Sequence, residues 1–65
     1  MIGKRIFEII LKNKISSKDF AKSIKIDVST LSKWINNEIM PSTNNIIKIC
    51  EVYNIDANWL LGIKK

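Results

Sequence analysis

The chain has 65 residues, of which 46% are apolar and 26% charged, with a formal net charge of +5. That length holds one domain at most, and a chain so short buries little surface, so it needs close helix packing or a partner subunit to be stable. It has no apolar run of the roughly 18 residues that suggests a membrane span, and the residues after Met1-Ile2-Gly3-Lys4-Arg5 mix apolar with charged side chains, unlike a signal-peptide core.

The first helix is expected from about Ile2 to Lys12. Ile2, Ile6, Ile9 and Ile10 make its buried stripe, Phe7 lies at the border, and Lys4 and Arg5 face outward. Lys12 and Lys14 close the helix, where cations suit the negative end of the macrodipole; a phosphate contact is the competing role. Ser16 starts the second helix with Asp19 three residues on, a weak capping box. Phe20 and Ile24 stack on one face of that helix, with the small Ala21 leaving room for a steep crossing. Lys25-Ile26-Asp27 is long enough only for a sharp corner that Ile26 plugs, and Asp27 caps the helix that follows.

The third helix begins at Val28. At 100° per residue, Val28, Ser29, Ser32, Lys33 and Asn36 fall in one arc of about 140°. Thr30, Leu31, Trp34 and Ile35 take the other side. One face is thus apolar, and the opposite face is small and polar with one lysine. A helix bearing short hydrogen-bonding side chains is what the DNA major groove admits. Asn37 is suited to a left-handed helix stop. Pro41 breaks the chain, and Ser42 or Thr43 caps a fourth helix in which Ile46, Ile47, Ile49, Cys50 and Tyr53 recur at helical spacing. Asp56 caps a short fifth helix that ends at Gly62. Lys64 and Lys65 read as a frayed tail.

Charge is unevenly placed. Lys12 to Lys33 carries six lysines against Asp19 and Asp27, a net of +4, while the rest of the chain nets +1. Such concentration is the footprint of a polyanion-binding face. An AT-rich coding sequence, which favours lysine, isoleucine and asparagine, is the competing explanation. Reactive chemistry is sparse. There is no histidine, no CxxC or other zinc-binding set, no glycine-rich phosphate loop and no recognisable carboxylate pair. Cys50 has no base to activate it and reads as a small core residue, an intermolecular disulfide being the alternative. The composition points away from an enzyme, and no metal, cofactor or small-molecule ligand is expected. The absence of a disulfide framework suits a reducing cytoplasm.

Ser17 to Asn36, SKDFAKSIKIDVSTLSKWIN, resembles the helix-turn-helix of the phage repressor and Cro (XRE-type) family. The likeness extends to the leading amphipathic helix, the cap Ser16, Pro41-Ser42 before the fourth helix and the closing Asp56-Ala57-Asn58-Trp59-Leu60-Leu61-Gly62. It implies an all-α, compact five-helix, lambda-repressor-like fold over residues 1–65, with the helix-turn-helix at helices two and three. It also implies a sequence-specific regulator of transcription on double-stranded DNA, bacterial or phage-encoded. Repression by occupying an operator and excluding polymerase is the mode the resemblance suggests.

The chain departs from the family pattern at several positions. Ser17 stands where relatives commonly have a glutamine that touches the DNA backbone. Lys25 and Asn37 stand where glycine is usual, and a lysine in the left-handed region costs roughly 1–2 kcal/mol. A glutamate often found near Ile35 is missing, so its ion pair with an arginine of the first helix is not expected for Arg5.

Base readout is expected from Val28, Ser29, Ser32 and Lys33. Lysine can donate to guanine O6 and N7, serine can bond several bases, and valine can pack on a thymine methyl. Ser17, Lys18, Lys25, Asn36, Asn37, Ser42, Thr43 and Asn44 are the expected backbone contacts, with helix capping the competing role for the last three. Trp34 faces away from the polar arc and reads as a core anchor. One such unit covers few bases, so a homodimer is expected on a pseudo-palindromic site with half-sites about 34 Å apart. The resemblance makes Trp59 and Leu60 the dimer candidates; a core role for Trp59 is the alternative. The rival from another class is a protein-interaction module, an antitoxin or anti-repressor type, using the same helix face. Apolar Val28 in the exposed arc favours it. An activator on DNA is a closer rival.

Overall fold

The computed structural model describes residues 2–63, and the expected tail at Lys64 and Lys65 lies outside them. Isoleucines at 2, 6, 9 and 10 do form one buried stripe, along α1 (Ile2–Lys12). Four further helices follow: α2 (Ser17–Ser23), α3 (Val28–Ile35), α4 (Thr43–Tyr53) and α5 (Ala57–Leu60). Every regular element among the described residues is a helix. Phe20, Ala21, Ile24, Leu31, Trp34, Ile49 and Leu60 complete the core around the α1 stripe. The all-α, five-helix arrangement with a helix-turn-helix at α2 and α3 is thus the fold.

Three helices start on side-chain caps. Ser16 Oγ accepts from the Asp19 amide at 3.0 Å, Ser42 Oγ from that of Asn45 at 3.3 Å, and Asp56 Oδ1 from that of Asn58 at 2.9 Å. Each satisfies an amide the helix itself leaves orphaned. Asp27 holds the cap position of α3 with extended backbone, but its carboxylate makes no capping bond. There the expected cap is positional only.

All five helices stop in one way. Within two residues of each helix end the chain turns left-handed, at Lys14, Lys25, Asn37, Asn54 and Gly62, with φ between 54° and 78°. The following amide reaches back five residues, as from Ile26 to the Ala21 carbonyl at 3.0 Å and from Glu38 to that of Lys33 at 2.8 Å. This is the Schellman geometry, which often brings a hydrophobic contact from the residue after the stop. Here that residue is Ile15, Ile26, Ile55 or Ile63 at four of the five stops, and the first three pack against the core. α1, α2 and α4 are thus each ended and pinned by a pair of neighbouring residues.

The seat of α3 is made on main chain. A Cβ added to Gly3 would lie 2.5 Å from the carbonyl oxygens of Trp34 and Ile35, so only glycine allows α1 to come this close. The Gly3 amide donates to Asn37 Oδ1 at 3.2 Å, tying the start of α1 to the end of α3. From the other side α4 holds α2. Tyr53 stacks on Phe20 with ring centroids 5.0 Å apart, and its hydroxyl lies 2.6 Å from Ser23 Oγ.

Arg5 does not simply face outward. Its guanidinium carbon sits 4.8 Å from the centroid of the Trp59 ring, an attractive placement for a cation over an indole face. Its Nε is shielded and finds no hydrogen-bond partner among the described residues. Ile47, one of the residues that recur at helical spacing along α4, is half exposed.

Candidate nucleic-acid interface

The α3 sequence VSTLSKWI sorts its side chains by face. Leu31 and Trp34 are buried to within 1% of full enclosure, while Ser29, Ser32, Lys33 and Asn36 are exposed and Val28 is 47% exposed. The two buried residues fix the helix on the core, so the outward face keeps a constant shape. Short side chains at 28, 29 and 32 leave the backbone able to approach a flat partner closely. Lys33 adds a flexible cation that can reach further.

The neighbouring elements bring some of the expected contacts to this face. Ser17, the first residue of α2, lines a shallow cleft of about 210 Å³ with Val28, Leu31, Ser32 and Ile35. Lys18 is exposed on the same first turn. Ser42, Thr43 and Asn44 are exposed at the start of α4; the Ser42 hydroxyl oxygen accepts the capping bond and still has a proton to donate. Asn36 caps α3 and is exposed, whereas the Asn37 side-chain oxygen is engaged with Gly3, so a role inside the fold accounts for it.

Lys25 occupies the left-handed stop between α2 and α3 at φ 60°. Lys48 reaches the same corner from α4, with its Nζ 3.5 Å from the Ile24 carbonyl oxygen. Lys22, in the last turn of α2, is also exposed. The sequence position of Lys48 gives no hint of its reach to the corner, because the contact depends on α4 lying against α2. Lys25→Gly separates strain from charge. The variant should gain about 1 kcal/mol of stability, since glycine adopts this conformation without the Cβ clash. Its melting temperature should rise by about 4–8 °C, while duplex binding weakens for all sequences. Unchanged binding would remove Lys25 from the contact set.

Leu60 is fully buried and belongs to the core of its own subunit, which corrects its reading as a dimer contact. Trp59 is half-buried beneath Arg5. Burial pushes the Cys50 thiol up from its ordinary range, with Asp56 and Glu51 adding to the effect, so it stays protonated at neutral pH. No group of metal-binding side chains forms among the described residues, and no helix there is long and apolar enough to cross a membrane.

Comparison with known proteins bears on the same segment. A family described as a helix-turn-helix domain matches residues 3–62. The HTH-type transcriptional regulator ImmR of Bacillus subtilis is 30% identical over 61 residues, covering 94% of this chain and 48% of its own length. An uncharacterized HTH-type transcriptional regulator of Haemophilus influenzae is 36% identical over 42 residues, covering 65% of this chain and 18% of its own. The chain therefore spans less than half the length of these curated relatives. No solved structure gives a significant match. With that match running from the first turn of α1 to the stop after α5, and the α2–α3 corner at its centre, the chain belongs to the XRE-type helix-turn-helix family.

Proposed function

We propose that this chain is the DNA-binding part of a transcriptional regulator, acting in the cytoplasm as a repressor that occupies a pseudo-palindromic operator with two subunits. The observation that carries the reading is the exposed polar face of α3, Val28, Ser29, Ser32, Lys33 and Asn36, backed by the fully enclosed Leu31 and Trp34. A rigid helix with short polar side chains fits the major groove, where base edges present distinct donor and acceptor patterns. In this reading Val28, Ser29, Ser32 and Lys33 meet base edges. Ser17, Lys18, Lys25, Asn36, Ser42, Thr43 and Asn44 meet phosphates and set the register.

Two lysine variants test the division of labour on a site selected from a random duplex pool. Lys33→Ala should cost about 1–3 kcal/mol on that site and relax its sequence preference, whereas Lys18→Ala should weaken all duplexes alike. Equal losses from both on selected and random duplexes would refute the assignment. The half-exposed Val28 favours one second reading, in which the same α3 face binds a protein, as in an antitoxin or anti-repressor. Capture of a protein partner with no duplex binding at low salt would select that reading.

A further inference from the structure

Hydrogen bonding to base edges does not account for every side chain on the outer face of α3. Val28 is the one large apolar side chain that stands exposed on this helix. It does not stand alone. With Ser17 from α2 and Leu31, Ser32 and Ile35 from α3, it lines a cleft of about 210 Å³ between the two helices. Leu31 is fully enclosed and Ile35 packs against the core, so the floor of the cleft is apolar and fixed. Val28 and the two serines make its walls.

Size and chemistry narrow what the cleft can hold. Its volume of about 210 Å³ falls below the roughly 300–1,000 Å³ of small-molecule pockets. No lining side chain is charged, so a phosphate pressed into it would exchange water for an apolar floor with no cation in return. The polar atoms of base edges meet the same penalty. Among the groups that base edges present in the major groove, one is apolar, the C5-methyl of thymine. Thymine also carries an acceptor, O4, on that edge. Ser32 is exposed at the cleft wall, and its hydroxyl can donate to such an acceptor.

We propose that the cleft receives the C5-methyl of one thymine, with the Ser32 hydroxyl donating to O4 of the same base. The assignment rests on the DNA reading of α3 and adds two things to it. One position of the bound site is a T·A pair. The start of α2 takes part in base reading, because the cleft is incomplete without Ser17. A methyl lying on Val28 alone keeps much of its surface in water. Inside the cleft it loses that surface, so its removal is measurable.

Replacing thymine by deoxyuridine, one base at a time in a duplex selected from a random pool, removes the methyl and nothing else. Fluorescence anisotropy should show binding weakened about fourfold at one thymine per bound subunit, the loss expected for one buried methyl, and little changed at the others. At that position 5-methylcytosine should bind about fourfold more tightly than cytosine, because it restores the methyl and a serine hydroxyl can also accept from N4. Val28→Ala should bind the thymine and deoxyuridine duplexes alike. Val28 is exposed, so this variant should keep the parent's helical circular dichroism. Ser32→Ala should lose affinity for both duplexes and keep the preference for thymine. Duplex binding with no thymine sensitive to loss of its methyl, or a Val28→Ala variant that keeps the parent's preference, would overturn the cleft assignment and leave the DNA reading standing. No duplex binding at low salt would remove both, and a protein partner released by Val28→Ala would then give the cleft to an apolar side chain of that partner.

Discussion

Raising monovalent salt from 50 to 200 mM should weaken binding to an operator duplex by about four orders of magnitude. Each phosphate neutralised by a cation releases condensed counterions, so two subunits touching about eight phosphates give a log–log slope near −7. On the proposed reading the lysines of residues 12–33 supply the cations, and Lys18, Lys22, Lys25 and Lys33 are exposed. Fluorescence anisotropy at several salt concentrations reads the slope directly. A slope near zero would eliminate phosphate neutralisation as a source of affinity. Lys18→Ala should lower the slope's magnitude by about 1 per subunit, and Leu11→Glu should not.

Trp34→Ala should leave the chain largely unfolded at room temperature. Removing a buried tryptophan costs about 3–5 kcal/mol in lost burial and residual cavity, and a domain this small commands only about 3–5 kcal/mol in total. Trp34 is among the largest fully enclosed side chains and sits on the inner face of the helix whose outer face is proposed to read DNA. The variant should therefore lose helical circular dichroism and all duplex binding together. Trp34→Phe should retain the fold with reduced stability, because an aromatic ring still fills most of the space. A Trp34→Ala chain that melts like the parent would mean that α3 is not held by this side chain.

Much of this was readable beforehand where the cause is local. Helical periodicity located the α1 stripe, and the hydroxyls of Ser16 and Ser42 marked where α2 and α4 begin. Lys25 and Asn37 stood out as left-handed stops because the family resemblance supplied glycine as the usual residue there. Lys14 and Asn54 make the same stop, and the only sequence signal for it is the isoleucine after each. What stayed hidden depends on which helix lies across which. Arg5 falls on the outward side of α1 by periodicity, yet α5 brings Trp59 under it. The family resemblance offers Leu60 as a dimer contact, yet its side chain is fully buried in the core of this chain. Gly3 carried a signal of its own, since a glycine inside an amphipathic helix often marks a close crossing.

That crossing bears on how such a protein can change its target. Because α1 meets α3 through carbonyl oxygens and a glycine, the aim of α3 does not depend on which side chains decorate its outer surface. Residues 28, 29, 32 and 33 can be exchanged as a set while the mount stays as it is. On the proposed reading, a new operator preference is then reachable by a few substitutions on an inherited chassis, with folding left undisturbed.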